Sequence, residues 1–260
     1  MLLDEIMKAA GIEVYGVADY KDTLPGTGYK QKEIFDGMES VIVCLIPWDT
    51  GMNEDRNVAR FAVGMDYHTV ASKHLAVATE VLKRAFPDET FKFFVDSSPI
   101  AEVRAAVLAG LGVRGKNNLL ISKEYGTRCA IGEIVSSKHF AKSKKSVGTC
   151  FECMRCVNEC PGGALSEKGY DREKCVSYIN QKKNELTEDD KKLIKKVGFI
   201  CGCDCCTDCC PMNRHADGTG LPEFKATAKP VYTPGMDTSD RSYNWKTENA
   251  ERNYKIITED

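Results

Sequence analysis

Eleven of the thirteen cysteines in this chain fall between residues 150 and 210, and their order constrains the fold more than any other feature. Cys150, Cys153, Cys156 and Cys160 are followed at once by Pro161, which gives C-x2-C-x2-C-x3-C-P. Bacterial ferredoxins use this spacing to ligate 4Fe–4S clusters. The first three thiolates can wrap one cuboidal cluster in a tight turn, while the fourth, set off by an extra residue and a proline, reaches a different one. One such run therefore predicts two clusters.

A second set follows in Cys201, Cys203, Cys205, Cys206, Cys209 and Cys210, with Pro211 after it. Cys203, Cys206 and Cys210 reproduce the end of the first run and lack its first ligand. Two clusters need eight thiolates, and these runs supply seven. Cys175 is the natural eighth, since it stands between the runs and just before a helix-like stretch from Val176 to Leu186. By ferredoxin logic Cys150, Cys153, Cys156 and Cys210 hold one cluster, and Cys160, Cys175, Cys203 and Cys206 the other. The count is firmer than the distribution, because Cys201, Cys205 and Cys209 crowd the second run; Cys210 is preferred to Cys209 because the proline follows it. Zinc also takes four thiolates but explains two interleaved Cys-Pro endings poorly. Disulfides require an oxidising compartment.

The N-terminal residues MLLDEIMKAAGIEVYG read as an amphipathic helix rather than an export leader, so the expected location is the reducing cytoplasm. With 260 residues, 42% hydrophobic content and a net charge of −2, the composition suits one sizeable core plus a small cluster-binding unit. No apolar run reaches the roughly 20 residues needed to span a membrane. The charge balance does not signal nucleic-acid binding, although Lys138 to Lys145 form a local cationic stretch that reads as a solvated linker or, alternatively, as a surface for docking a partner or an RNA backbone.

Residues 1–140 mix helical and strand patterns. Ser40 to Pro47 is an apolar run suited to a buried strand, and Thr69 to Phe86 carries Val70, Val77, Val81 and Leu82 at helical spacing. Phe91 to Val95 predicts a further strand, ended by Asp96. Ser98-Pro99 offers a cap and first-turn proline for a helix running to Gly110–Gly112, and Arg128 to Val135 predicts another strand. Cys44 and Cys129 read as small core residues on strands. The G-x-G-x-x-G at Gly110 to Gly115 follows a helical pattern instead of a strand and so announces no dinucleotide site, and no P-loop is present. Residues 141–216 form the cluster unit, and residues 217–260 read as a polar C-terminal tail, extended over the body or partly disordered, that carries no chemistry.

Three segments of the N-terminal part exceed the needs of a generic core: Arg60 to His68, Val95 to Pro99 with Glu102, and Gly110 to Asn118. In order with the cysteine runs they resemble the epoxyqueuosine reductase family, cobalamin-dependent iron–sulfur enzymes related to reductive dehalogenases. The family pattern R-Y/F-A-x-G-x-D-Y-H matches Arg60 to His68, V-D-S/T-x-P with a glutamate matches Val95 to Glu102, and A-G-L-G-x-x-G-K-N matches Ala109 to Asn117. The cysteine run matches Cys150 to Pro161, C-x-S-Y matches Cys175 to Tyr178, and C-D-x-C-x3-C-P-x-N matches Cys203 to Asn213. The match covers about residues 56 to 215 and is specific through its joint order.

The resemblance implies an α+β fold, a nitroreductase-like corrinoid-binding domain fused to a ferredoxin-like domain with two 4Fe–4S clusters. It makes Cys175 a ligand, in agreement with the count. It also implies that the clusters relay single electrons to cobalamin, whose Co(I) state carries the difficult chemistry. Asp96 matches the family's proton donor, although a plain helix cap remains the alternative; burial against the corrin is expected to raise its pKa against a stabilising helix terminus. Arg60, Tyr67, His68, Lys116 and Asn117, with Ser97 and Arg114, become the expected corrinoid or substrate contacts. A low-potential ferredoxin or flavodoxin is the expected electron donor, and a modified nucleoside in tRNA or a small molecule the expected substrate. The chain departs from the family in Val176 to Lys183, in Val113-Arg114 and in Met212, and reads as a short form without the helical-repeat extension associated with tRNA. Two functions follow: a reductase acting on an epoxide-like substrate, or an electron-transfer protein that activates a corrinoid partner.

Overall fold

A computed structural model describes residues 2–24, 36–52, 55–144, 148, 150–236 and 247–259. Lys145 and the tail residues 237–246 lie outside the described residues. The N-terminal part runs α1 (Leu2–Ala9), β1 (Val14–Asp19), α2 (Tyr20–Thr23), β2 (Ser40–Pro47), α3 (Tyr67–Ala85), β3 (Phe91–Val95), α4 (Glu102–Leu108), β4 (Val113–Arg114), β5 (Leu120–Ile121) and β6 (Cys129–Ser136). The remainder adds α5 (Arg155–Asn158), β7 (Leu165–Ser166), β8 (Gly169–Tyr170), α6 (Val176–Ile179), α7 (Glu188–Val197), α8 (Cys205–Asp208), α9 (Pro222–Ala226) and α10 (Thr247–Thr258).

The expected apolar strand lies inside an antiparallel sheet of order β1-β2-β6-β3. All eight residues of β2 are buried because the sheet is covered on both faces. Ile42, Cys44 and Ile46 point into a core shared with α1 and α3, while Val41, Val43 and Leu45 point into a second core under α4. This side-chain alternation makes Cys44 a fully buried core residue, as its sequence context suggests. The antiparallel sheet between helical layers is an α+β arrangement. β1 can approach α4 closely only because residue 16 is glycine: a Cβ there would stand 2.2 Å from the Ala109 carbonyl oxygen.

Several elements differ from their sequence expectation. Val77, placed on the buried face of α3 by spacing alone, is 46% exposed; the buried stripe is Val70, Ala71, Leu75, Ala78 and Leu82. α4 begins at Glu102 rather than Pro99, because Ser98 Oγ accepts from Ile100 N at 3.1 Å and closes a local turn that competes with the helix. α6 stops at Ile179 instead of reaching Leu186. There Asn180 turns inward, accepting from Gly202 N at 3.2 Å and donating to Gly202 O at 2.7 Å, and the helix yields to that tertiary pairing. Gly202 in turn packs against residues 59–61, where a Cβ would fall 2.4 Å from that of Ala59.

The described part of the tail belongs to the folded body. Phe224 on α9 is fully buried in the core with α1 and α3, and Tyr232 and Ala250 pack with Val58, Ala62, Val63, Ile200 and Cys201. Buried Asn253 on α10 donates to Asn180 O at 2.7 Å and Ile200 O at 2.8 Å, strapping the cluster unit. Polar composition misleads here because a few buried anchors suffice to dock an otherwise polar segment. Phe224→Ala should cost about 3–5 kcal/mol, as for other buried Phe truncations, which anaerobic thermal and denaturant unfolding would register. Among the described residues no helix is long and apolar enough to cross a membrane.

Candidate active site and cluster sites

The start of α3 and the end of β3 meet over a cavity of about 1440 Å³, larger than the roughly 300–1,000 Å³ of ordinary ligand pockets. Asp66 caps α3 through Oδ1, which accepts from His68 N at 2.9 Å. The cap fixes the first helical turn, so Tyr67 and His68 face the cavity with their rings stacked at 4.2 Å. Across from them the chain leaves β3 and turns at Asp96, whose φ of 59° is left-handed and uncommon outside glycine. Asp96 is therefore held in a strained turn six residues before α4 and does not occupy a helix terminus. Its Oδ2 accepts from Tyr67 Oη at 2.7 Å and meets His68 Nε2 at 2.7 Å, while His68 Nδ1 meets Asp66 Oδ1 at 2.7 Å.

A histidine with a carboxylate on each ring nitrogen must donate from both, which requires the imidazolium. The Asp66 and Asp96 hydrogen bonds accordingly raise His68 from its ordinary 6.5 to about 10. For Asp96 burial acts to raise the pKa, but the His68 and Tyr67 hydrogen bonds outweigh it and leave the carboxyl below its ordinary value. Behind it Glu102 is pushed up to about 8, first by burial and then by the Asp96 charge. Glu133, wholly buried on β6, is raised well above its ordinary value by burial and then by Glu102 and Asp96. Near neutral pH this wall therefore carries an Asp96 anion beside protonated His68 and Glu102.

Because the folded His68 pKa lies above the unfolded value, its stabilising contribution is complete below about pH 6.5 and is lost as pH rises through about 10. Glu102 follows the same sign over a lower window, from its ordinary 4.5 through about 8. The fall in Tm between about pH 8 and 10 should thus be shallower in His68→Gln than in the parent chain, a comparison that calorimetry in matched buffers provides.

The cysteines divide around two spaces. Cys150, Cys153, Cys156 and Cys210 line a small void beside Lys116, Asn117 and Phe151. Cys160, Cys175, Cys203 and Cys206, with Cys205, line the large cavity. The charges felt by each thiol show the same division: Cys156 is raised by burial and then by Cys150, Cys210 and Cys153, and Cys206 by burial and then chiefly by Cys175 and Cys160. Among the described residues no three His, Cys, Asp or Glu side chains are arranged for a single metal ion. The donor set fits a cluster instead: thiolates spread around a space, each set assembled from both runs. Cys209 lines neither space, bordering the surface cleft beside Cys210 with its Sγ donating to Cys206 O at 3.6 Å, and Cys201 is buried in the apolar core. Cys129, expected in the core, stands partly accessible at the start of β6 on the cavity wall.

Of the expected contacts, Tyr67, His68 and Asn117 line the large cavity. Asn117 also lines the smaller void; it is 5% exposed, and its Nδ2 is buried without a hydrogen-bond partner among the described residues. An unpaired buried amide at the wall between two spaces fits a ligand that accepts hydrogen bonds, such as a cluster sulfur or a corrin amide. Lys116 lies on the smaller void and pairs with Glu152 at 3.6 Å. Ser97 is absent from the cavity lining, its N bonded to Val95 O at 2.7 Å. Arg114 sits on the surface, its Nε donating to Asn118 Oδ1 at 3.0 Å.

Arg60 also departs from its expected place. It is buried in an ionic network, with Nε donating to Asp208 Oδ1 at 2.8 Å and Nη1 4.0 Å from Asp49 Oδ1, while its backbone N donates to Asp204 Oδ2 at 2.8 Å. Arg56 pairs with Asp204 and Asp208, and Arg128 Nη1 with Asp49 at 2.7 Å. Three arginines of the sheet domain thus clamp the Asp204–Asp208 segment that carries Cys205 and Cys206. Arg60→Ala should cost roughly 1–3 kcal/mol, less than the ~3–5 of a fully buried pair because Asp208 is 39% exposed, and should leave cofactor affinity nearly unchanged.

The sequence reading missed Asp66, Glu133, the Asp204 and Asp208 partners of the arginines, and Glu248 and Asn249, which reach the cavity from the tail. Asp66 left a local signal as a capping residue directly before the helix, and Asp204 one as the aspartate of the C-D-x-C segment. In the cationic stretch, Lys142 pairs with Asp19 and Asp22, and Lys138 lies 4.6 Å from the Phe86 ring centre.

A family model described as epoxyqueuosine reductase QueG, DUF1730 matches residues 29–97, and one described as a 4Fe-4S double cluster binding domain matches residues 149–213. The epoxyqueuosine reductase of Listeria monocytogenes is 38% identical over 192 residues, 71% of this chain and 49% of that protein. The chain thus spans about half the length of this curated relative. A crystal structure of an epoxyqueuosine reductase with a tRNA-Tyr epoxyqueuosine-modified stem loop superposes with a TM-score of 0.84 at 21% identity, over 98% of this chain and 80% of that one. A reductive dehalogenase, whose structure is described as suggesting a mechanism for B12-dependent dehalogenation, superposes with a TM-score of 0.56 at 15% identity, over 98% and 34%. These structural likenesses establish a shared fold.

Proposed function

Because the chain belongs to the epoxyqueuosine reductase family, we propose that it is an iron–sulfur, cobalamin-dependent oxidoreductase that removes the epoxide oxygen of epoxyqueuosine in a tRNA. One observation carries this reading: a single cavity presents Asp96, His68 and Tyr67 together with Cys160, Cys175, Cys203 and Cys206. Electron supply and proton supply converge on one space.

In this reading residues 1–140 bind the corrinoid, residues 141–216 hold the clusters, and the described parts of 217–260 strap the two together. Cys150, Cys153, Cys156 and Cys210 hold the outer cluster, and Cys160, Cys175, Cys203 and Cys206 the inner one. Cobalamin bound in the cavity would supply a low-valent cobalt that accepts single electrons and acts on the epoxide. Asn117, Gln181, Lys183 and Asn249 offer polar groups to its peripheral amides and phosphate.

Removal of an epoxide oxygen as water takes two electrons and two protons. His68 and Glu102 both hold protons at this wall near neutral pH. Filling the cavity would strip water from the Asp96–His68 pair, and a neutral acid beside a neutral imidazole is then favoured over the ion pair. The His68 proton moves across the 2.7 Å contact to Asp96 Oδ2, and Asp96 passes it to the departing oxygen. A low-potential ferredoxin or flavodoxin is the proposed donor, and the reducing cytoplasm the proposed location.

The test is anaerobic titration of the cluster-reconstituted protein with cob(II)alamin, followed by EPR. A stoichiometric base-off cobalt signal is expected, followed by turnover of tRNA bearing epoxyqueuosine. An unchanged signal of free cobalamin would overturn the reading in favour of an electron-transfer protein.

A further inference from the structure

The loop around the outer cluster site is turned toward solvent. Phe151, between ligands Cys150 and Cys153, is 64% exposed, the highest value among the exposed large apolar residues described. Cys153 is itself exposed, whereas the other seven expected ligands are partly covered. Glu152 and Met154 flank Cys153 with φ of 51° and 58°, so the backbone adopts two uncommon conformations in succession and leaves Phe151 outside.

The charge around this loop has a definite sign. Lys116 and Glu152 neutralise each other at 3.6 Å. Beside them lies a cleft of about 410 Å³ lined by Arg155, Glu159, Asp208, Cys209, Cys210 and Arg214. Asp208 is committed to Arg56 and Arg60. Arg155 and Arg214 are exposed and have no ion pair among the described residues, leaving Glu159 as the opposing unpaired carboxylate of the cleft. An exposed aromatic ring next to unpaired guanidiniums is a usual composition for a protein contact.

Resting on the cluster assignment above, we propose that Phe151, Arg155 and Arg214 form the docking surface for a small acidic one-electron carrier protein, which delivers electrons to the outer cluster. The inner cysteines face the cavity that substrate and cofactor would fill, so an external protein has its access at the opposite end, where Cys153 reaches the surface. The ring supplies a desolvated contact over the cluster, and the guanidiniums steer acidic side chains of the carrier toward it.

The proposal is tested by stopped-flow reduction of the full chain carrying both clusters, with reduced flavodoxin as the carrier and reduced methyl viologen as a small cationic donor. Arg214→Glu and Phe151→Ala should each slow reduction by flavodoxin about threefold to tenfold, and the parent rate should fall as salt rises from about 50 to 500 mM. Arg214→Glu should not slow reduction by methyl viologen. Lys192→Glu, on the exposed face of α7, serves as the remote control and should leave both rates unchanged. Flavodoxin rates indifferent to both substitutions, or slowed equally by Lys192→Glu, would overturn the proposal. Iron content and cluster EPR on the same samples separate slowed transfer through intact clusters from loss of a cluster, which would count against the ligand assignment instead.

Discussion

Asp96→Asn is expected to lower turnover by about 10²–10⁴-fold, the usual contribution of a positioned acid or base, while both clusters and cobalamin remain bound. The amide keeps the size of the carboxyl and can still meet Tyr67 and His68, so the strained turn at φ 59° need not collapse. It cannot receive the His68 proton and hand it on. The same substitution removes one of the two carboxylates that hold His68 at about 10, so the His68 pKa should fall, a shift that NMR titration of the ring protons would follow. Single-turnover assays with reduced protein would separate loss of the proton step from loss of electron supply. Full turnover in the variant would reduce Asp96 to a turn residue and leave Glu102 as the available acid.

Cysteine substitution should show the division of ligands directly. Cys156→Ala removes a thiolate of the outer set and Cys206→Ala one of the inner set, and each is expected to lower iron from about eight to about four atoms per chain, with one EPR signal lost and the other kept. The retained signal should differ between the two variants. Cys209→Ala, which removes a thiol bonded to the Cys206 carbonyl and outside the lining of the outer void, should keep both clusters, whereas Cys210→Ala should lose one. The reverse result for Cys209 and Cys210 would shift the register of the second run by one residue. Loss of both clusters in every variant would instead mean that the unit folds only when fully loaded.

Much of this was readable from the chain. β2 and β3 occur where their apolar runs predict: β2 is buried on both faces, and β3, a half-buried edge strand, still carries a local excess of apolar residues. The cysteine runs predict two ligand sets by their spacing, and those cysteines line two separate spaces of the fold. Tyr67, His68 and Asp96 were visible only jointly, through the order of segments that resemble a family. Singly, each would pass for an ordinary loop residue.

What the sequence could not give was the partner of each polar group. Arg60 stands in a segment that reads as a ligand contact, yet the 204–208 segment, far along the chain, supplies the carboxylate that claims it. Asn180 ends a helix that local propensity would continue, because Gly202 offers two backbone bonds. The polar tail docks through Phe224, Tyr232 and Asn253, and no local pattern marks them as buried. The protonation of the active wall likewise depends on the meeting of two loops, since His68 becomes an imidazolium only when Asp66 and Asp96 flank it. The sequence by itself determined the cluster chemistry and the strands β2, β3 and β6, which depend on short-range spacing, but not β1, whose first residues read as the end of the N-terminal helix. The tertiary structure decided which charges are paired, which are buried and where the proton rests, because those depend on distances between residues the chain keeps far apart.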